Sequence, residues 1–203
     1  MKDSIKFILK NSIVFALVSF AFSMIGAFFP ESEFTVVIGN PLVVSGVTIE
    51  HVMGHVFWGA VIGLATLSIR YIVLGGSFAI LLDSDHLLQF LDIELVSRMS
   101  HAVPFAIIVA IVFLIILRGK DLKLCAVAFS AVLSHIAFDT FLADIAFNST
   151  TSFPLFSPFT FERVELGGLD WLGIQIAGVV IVAFVSYISK RREQKIDERF
   201  TKT

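Results

Sequence analysis

All five histidines of this chain fall between positions 51 and 135, and each lies in or beside an apolar segment near an acidic residue. They are His51, His55, His86, His101 and His135, and their acidic neighbours are Glu50, Asp83, Asp85, Asp92 and Asp139. An ionisable group inside a membrane segment costs about 2.5–3.5 kcal/mol on insertion scales, so it usually has a function. Imidazole and carboxylate are the ligands of zinc and similar divalent ions. The set therefore predicts a metal site.

The spacing of these residues also suits coordination. Three pairs are separated by three or four residues, which places both members on one face of a helix: His51 with His55, His135 with Asp139, and Asp83 with His86. Cys125 is the only cysteine, so one chain offers no thiolate cluster. The metal must be held by nitrogen and oxygen, which favours zinc and leaves manganese, iron and magnesium as alternatives.

The candidate residues can be given roles. The expected ligands of a divalent metal ion are His55, Asp83, Asp85, His86, His101, His135 and Asp139. This surplus over four ligands would allow two ions, or would leave one carboxylate as a general base, for which Asp85 is the first choice and Asp139 the second. Arg98 is expected to hold a phosphate or carboxylate of the substrate by a bidentate contact. His51 taken alone is more typical of an interfacial residue at a helix end.

The elements that must position these residues are apolar helices. The chain has 203 residues, is 57% hydrophobic and 16% charged, and has a mean hydropathy of +0.91, whereas soluble domains average about 25% charged residues. A span needs about 20 apolar residues. We predict one all-α, polytopic membrane domain over 1–203 with six spans, at about 12–29, 51–69, 71–91, 101–117, 122–147 and 169–189.

Two stretches between the predicted spans are long. Alternating β-branched residues around Gly39-Asn40-Pro41 indicate a short extracytoplasmic hairpin at 34–48. Residues 148–168 contain Pro154, Pro158 and several aromatic residues, which predicts an ordered loop or a re-entrant cap.

The basic residues predict the orientation. With six spans, all but Arg98 and Arg163 of the 15 lysines and arginines fall on one side of the membrane, and positive charge marks the cytoplasmic side. We therefore expect a multi-pass protein of the plasma (inner) membrane with both termini in the cytoplasm. This topology places the ligand-type residues of four separate spans near the outer surface, although the histidines were not used to derive it.

The motifs resemble those of the YdjM-like family of inner-membrane proteins, which are regarded as metal-dependent hydrolases. Between about residues 50 and 160 they occur in the family's order: Gly54-His55, Asp83-Ser84-Asp85-His86, Ser100-His101-Ala102, Ser134-His135 with Asp139, and Phe153-Pro154 to Pro158. The resemblance implies a metal site and hydrolysis. The chain departs from the pattern at Leu82, where the family has proline, at Val96-Ser97-Arg98, where it has His-Arg-Gly, and at Ala102, where it has serine. Either one metal position has one ligand fewer than in the family, or His51 supplies the missing histidine.

Two functions remain open on the sequence. The first is a membrane hydrolase in which a metal-activated water attacks an ester or phosphoester. Its site at the depth of the outer leaflet favours an amphiphilic or lipid-linked substrate, and no nucleic-acid partner is expected. The alternative is a non-enzymatic metal or proton carrier, or a structural metal-binding membrane protein. The hydrolase is favoured because the acidic and histidine residues stop near mid-membrane and do not continue toward the cytoplasmic side.

Overall fold

The structure, a computed structural model, describes residues 2–29, 39–40, 48–91 and 96–201. Its α-helices are α1 (Lys2–Met24), α2 (Ile49–Leu64), α3 (Ile69–Leu81), α4 (Val103–Ile116), α5 (Leu122–Phe147) and α6 (Asp170–Thr201). Two 3-10 segments, Ile25–Phe28 and Leu82–Leu91, follow α1 and α3. One small antiparallel sheet pairs β1 (Thr151–Phe153) with β2 (Val164–Leu166). The predicted helical architecture is confirmed. The hairpin predicted at 34–48 falls almost entirely outside the described residues.

Within the described part of the chain, four helical stretches are long and apolar enough to cross a membrane: Lys2–Phe28, Ile69–Phe90, Leu122–Phe147 and Asp170–Gln194. The other two predicted spans correspond to α2 and α4, which have 16 and 14 residues. Both are shorter than the roughly 20 residues that a straight span needs. The four long helices fit a membrane protein, and the six-span arrangement with cytoplasmic termini stays a prediction.

Helix α5 lies at the centre of the bundle and contacts α2, α3, α4 and α6. Its buried surface contains many small residues, among them Ala128, Ala131 and Ala137, which allow neighbouring helices to approach closely. The outer helices expose large apolar side chains such as Ile13 on α1 and Phe184 on α6. A helix that is apolar on its outer as well as its inner surface suits a lipid environment.

Helices α2 and α3 form an antiparallel pair whose backbones touch. A Cβ atom added at Gly59 would lie 2.3 Å from the carbonyl oxygen of Gly75, and one added at Gly63 would lie 2.3 Å from the carbonyl oxygen of Tyr71. No side chain fits into such gaps, so glycine is required at both places. This close contact fixes the position of the two helices that lead to the histidine and aspartate residues.

The predicted span at 71–91 is not α-helical throughout. Its last ten residues, Leu82–Leu91, form a 3-10 segment that contains Asp83, Asp85 and His86. A 3-10 helix has three residues per turn, so side chains at i and i+3 eclipse one another, and runs longer than three or four residues are uncommon. Asp83 and His86 therefore share a face, as the spacing predicted. The reason is the three-residue turn of the 3-10 segment, whereas the prediction assumed an α-helix.

The loop at 148–168 is ordered and carries the small sheet, which the sequence did not predict. The amide of Val103 donates to the carbonyl oxygen of Leu155 over 2.9 Å, so the loop is fixed to the start of α4. Arg163 donates to the hydroxyl oxygens of Ser152 at 3.0 Å and Ser97 at 3.2 Å. The hairpin therefore packs over one end of the bundle, beside the residues that precede α4.

Candidate metal centre

Eight histidine and aspartate side chains meet at that end of the bundle. They form four overlapping groups of three, and within each group the candidate ligand atoms lie within 4.8 Å of one another. The eight are His51, His55, Asp83, Asp85, His86, His101, His135 and Asp139. All seven predicted ligands are thus brought together, and His51, which the sequence left open, joins them. Asp92 lies outside the described residues, and Glu50 is exposed.

Helix α2 contributes His51 and His55 from its first turns. The side chain of Thr48 caps the helix by accepting a hydrogen bond from the backbone amide of His51 at 3.2 Å. The four-residue spacing places both rings on one face, and their Nε2 atoms are only 3.0 Å apart. His55 is fully buried, and its ring stacks on that of His135 with centroids 3.7 Å apart.

Helix α5 contributes His135 and Asp139, which are both buried. Nδ1 of His135 lies 2.7 Å from the carbonyl oxygen of Ala79 on α3. A carbonyl oxygen only accepts, so Nδ1 carries the proton, and Nε2 is the acceptor atom of the neutral ring. Nε2 has no hydrogen-bond partner although it is buried. It lies 3.3 Å from Oδ1 of Asp83 and 3.7 Å from Oδ2 of Asp139.

Asp83 is the central residue of the cluster and belongs to three of its four groups. Its Oδ1 atom lies 3.6 Å from Nε2 of His86, and its Oδ2 atom lies 3.6 Å from Nε2 of His55. The Oδ2 atom is buried without a hydrogen-bond partner. An unpaired buried carboxylate oxygen costs free energy unless a cation or a donor reaches it.

His101 lies between two carboxylates in the turn before α4. Its Nε2 atom faces Oδ1 of Asp83 at 3.8 Å, while its Nδ1 atom faces Oδ2 of Asp85 at 3.8 Å. A carboxylate behind a histidine ring is a common way to orient a metal ligand. The Oδ1 atom of Asp85 has no hydrogen-bond partner. Asp85 can therefore orient His101 with one oxygen and still present the other to a ligand or a water.

Arg98 lies at the solvent-exposed edge of the cluster, here called the entrance, because its side chain is 34% exposed whereas that of Asp139 is 7% exposed. Its Nη1 atom is 3.7 Å from Oδ2 of Asp139 and donates to the hydroxyl of Thr151 at 3.4 Å. The guanidinium lies over the ring of Phe153, 5.2 Å from its centroid. The backbone of Arg98 has φ of 59°, which is unusual for a residue with a side chain. The local fold thus places the positively charged guanidinium of Arg98 beside the acidic cluster, and this placement requires a strained backbone.

Arg163 joins the hairpin to this entrance. Burial, and next the charge of Arg98, lowers the pKa of its guanidinium from the usual value. Its guanidinium donates hydrogen bonds to Ser152 on the hairpin and to Ser97 beside Arg98. Arg163 therefore holds the entrance together, which is a positioning role that the sequence did not reveal.

Several large apolar side chains that lie close in sequence to the site residues are exposed. Leu87 and Phe90 follow His86 in the 3-10 segment, and Phe156 and Phe159 belong to the loop between β1 and β2. Exposed apolar groups of this kind are typical of a surface that meets lipid or an apolar ligand.

The donor set suits a divalent cation. The cluster offers imidazole nitrogens and carboxylate oxygens and contains no thiol among the described residues. Its buried atoms without hydrogen-bond partners include His135 Nε2 and Asp83 Oδ2, which are the atoms that a cation would pair. The geometry thus fits a metal site. Comparison with protein-family models, with curated proteins and with solved structures gave no match for this chain.

Proposed function

We propose that the protein is a membrane-embedded, metal-dependent hydrolase of the plasma membrane that cleaves a phosphoester or another ester. The order of its motifs, which resembles that of the YdjM-like family, supports this proposal. The observation that carries it is the environment of His135, whose buried Nε2 atom faces two carboxylates without a hydrogen bond. Buried polar atoms that face one another in this way need a cation or a proton between them.

The residues that would hold this ion are His55, Asp83, His101, His135 and Asp139, with His51, His86 and Asp85 at its edges. A divalent ion bound there supplies Lewis-acid catalysis and a nucleophilic water at neutral pH. Zinc is the first choice for ligands of this kind, and manganese, iron and magnesium remain alternatives.

Asp85 is the residue we assign to proton transfer. Its Oδ2 atom lies 3.8 Å from Nδ1 of His101, and its Oδ1 atom has no hydrogen-bond partner. The Oδ1 atom can accept the proton of the attacking water while the histidine stays in place. A positioned base of this kind accelerates a reaction by about 10²–10⁴-fold.

Arg98 is the residue we assign to substrate binding. It is a charged donor at the entrance, and its planar guanidinium can bind two oxygens of a phosphate or carboxylate at once. Because Asp139 lies 3.7 Å away, the substrate anion would be held close to the buried carboxylates and to any ion between them.

The exposed apolar residues that lie close in sequence to the site favour an amphiphilic or lipid-linked substrate. Leu87, Phe90 and Phe159 offer contacts for acyl chains, and the site lies at one end of a bundle whose outer surface is apolar. We propose that this end faces the outer leaflet and that both termini are cytoplasmic, as the basic residues indicate.

A metal or proton carrier would need a polar path through the bundle. Between the start of α5 and His135, the buried residues of this described helix include Ser130 and Ser134 but neither an acid nor a histidine. This distribution favours a site that is open at one end over a pathway.

The test is a hydrolysis assay on protein purified in lipid nanodiscs and loaded with zinc or manganese. Aryl phosphomonoesters, aryl phosphodiesters, aryl carboxyl esters and phospholipids would be offered, with and without a chelator. We expect chelator-sensitive turnover of at least one phosphoester, its loss in His135→Ala and its retention in Glu165→Gln, which changes an exposed acid on β2. Metal-loaded protein that cleaves none of these esters would overturn the hydrolase proposal in favour of a carrier or structural role.

A further inference from the structure

We propose that the centre holds two divalent ions, bridged by Asp83 and Asp139, and that His51 is a ligand of one of them. The proposal deepens the proposed function, on whose metal site it rests. It assigns His51, which the family-like motifs do not include, and it specifies how many ions the cluster is built to bind.

The two oxygens of Asp83 face different histidines. Its Oδ2 atom lies 3.6 Å from Nε2 of both His51 and His55. Its Oδ1 atom lies 3.3 Å from Nε2 of His135, 3.6 Å from Nε2 of His86 and 3.8 Å from Nε2 of His101. A carboxylate with nitrogen ligands at both oxygens has the geometry of a bridge between two ions.

Asp139 divides its oxygens in the same way. Its Oδ1 atom lies 3.2 Å from Nε2 of His55 and 4.0 Å from Nε2 of His51. Its Oδ2 atom lies 3.7 Å from Nε2 of His135 and 3.9 Å from Nε2 of His101. Two carboxylates from different elements thus sort the four histidines into the same two pairs, which one shared ion does not require.

Each half of the cluster has the dimensions of a tetrahedral site. Zinc at 2.0–2.1 Å from tetrahedral ligands implies ligand–ligand separations of about 3.3 Å. The first half, around His51 and His55, has separations of 3.0, 3.2, 3.6, 3.6 and 4.0 Å. The second half, around His101 and His135, has separations of 3.3, 3.7, 3.8 and 3.9 Å. Most of these separations exceed the ideal value slightly, and the ligands would close that gap when an ion enters.

Each half also contains a buried polar atom without a hydrogen-bond partner. In the first half it is Oδ2 of Asp83, and in the second it is Nε2 of His135. His135 is fully buried, and the Asp83 side chain is only 10% exposed. A single ion in either half would leave the other half's atom unpaired, whereas two ions satisfy both.

A pair of ions defines the substrate class more closely. Two divalent ions about 3.5–4 Å apart can stabilise both the attacking and the leaving oxygen of an in-line displacement at phosphorus. Two such ions together with Arg98 also outweigh the charge of the carboxylates in the cluster, so the loaded site would attract an anion. Both points favour a phosphoester over a neutral carboxyl ester.

The test is metal content combined with magnetic resonance on the full-length protein in nanodiscs. We expect two ions per chain by elemental analysis, and a spin-coupled electron paramagnetic resonance signal when the protein is loaded with Mn²⁺. His51→Ala and His101→Ala should each lose about one ion per chain and the coupling. Glu50→Ala, which changes the exposed neighbour of His51, should retain both. Circular dichroism would verify that each variant folds. If a variant does not fold, the electron paramagnetic resonance spectrum of the Mn²⁺-loaded wild type still distinguishes a coupled pair from isolated ions.

One ion per chain at saturating metal, or a manganese spectrum of isolated ions only, would overturn the proposal. Its failure is distinguishable from that of the proposed function. Ester hydrolysis with a single ion would reject the pair and keep the hydrolase, whereas a coupled pair without hydrolysis would keep the pair and reject the hydrolase.

Discussion

The Nδ1 atom of His135 donates a hydrogen bond to the carbonyl oxygen of Ala79 across 2.7 Å, and this contact joins the metal cluster to helix packing. Ala79 lies two residues before the end of α3, just ahead of the 3-10 segment that carries Asp83. The bond sets the orientation of the His135 ring and directs Nε2 at the carboxylates. Metal binding and the packing of α3 on α5 should therefore stabilise one another.

The first prediction concerns that coupling. A ligand that binds only the folded state adds about 2.7 kcal/mol at a concentration a hundred times its Kd. We expect a chelator to lower the midpoint of thermal unfolding of the wild-type protein, and zinc to restore it. In His135→Ala the midpoint should not respond to either treatment. An equal response in the variant and the wild type would show that His135 is not a ligand.

The second prediction concerns the contact between α2 and α3. A Cβ atom at Gly59 would lie 2.3 Å from the carbonyl oxygen of Gly75, so Gly59→Ala must separate two helices that position His55 and Asp83. We expect it to reduce both thermal stability and metal content. Gly173→Ala is the matched control, because nothing lies within 4 Å of a Cβ atom there. It should leave metal content unchanged and, within α6, raise stability by about 0.5–1 kcal/mol. Normal metal content in Gly59→Ala would contradict the role of this contact.

The sequence predicted the helical architecture and the membership of the cluster because both depend on local patterns. Apolar periodicity marks helices, and spacings of three or four residues place side chains on one face. The same local logic could not show that His51 belongs to the cluster, since its position depends on how α2 packs against α3 and α5. Nor could it find the contact of His135 with Ala79, because a backbone carbonyl has no signature in sequence.

The entrance to the site was less predictable than the cluster. Arg98 could be identified as a basic residue on the unexpected side of the charge distribution, but its left-handed backbone could not. The hairpin of β1 and β2 has only three residues in each strand, which is too short for a clear alternating pattern. Arg163 acquires its role only when that hairpin brings Ser152 toward Ser97.

The third prediction concerns Asp85. Asp85→Asn removes a proton acceptor and keeps the shape of the side chain, so we expect ester hydrolysis to fall by about 10²–10⁴-fold. Metal content should stay close to that of the wild type, because the amide can still contact His101. Glu165→Gln provides a control that changes an exposed acid to its amide. Loss of metal in parallel with activity would instead make Asp85 a ligand, and unchanged activity would exclude it as the base.

The fourth prediction concerns orientation. In a Cys125→Ala background, a cysteine placed at exposed Ser149 should react with a membrane-impermeant maleimide added to intact cells. A cysteine placed at exposed Lys120 should react only after the membrane is opened. The two positions lie beyond opposite ends of α5, so they test one helix directly. The reverse pattern of labelling would invert the proposed topology and place the metal cluster at the cytoplasmic face.

The fifth prediction separates the two roles of Arg98, which are substrate binding and backbone strain. Hydrogen bonds to charged groups contribute about 1.5–3 kcal/mol, so Arg98→Ala should lower kcat/KM for a phosphoester by roughly 10–100-fold. Arg98→Lys should recover only part of that loss, because an ammonium group lacks the planar fork. Arg98→Gly should be as inactive as Arg98→Ala but more stable by about 1 kcal/mol, since glycine adopts a φ of 59° without strain. Kinetics on an anionic and a neutral ester, together with unfolding midpoints, would measure both effects. If the alanine and glycine variants hydrolyse the phosphoester as fast as the wild type does, Arg98 does not bind the substrate.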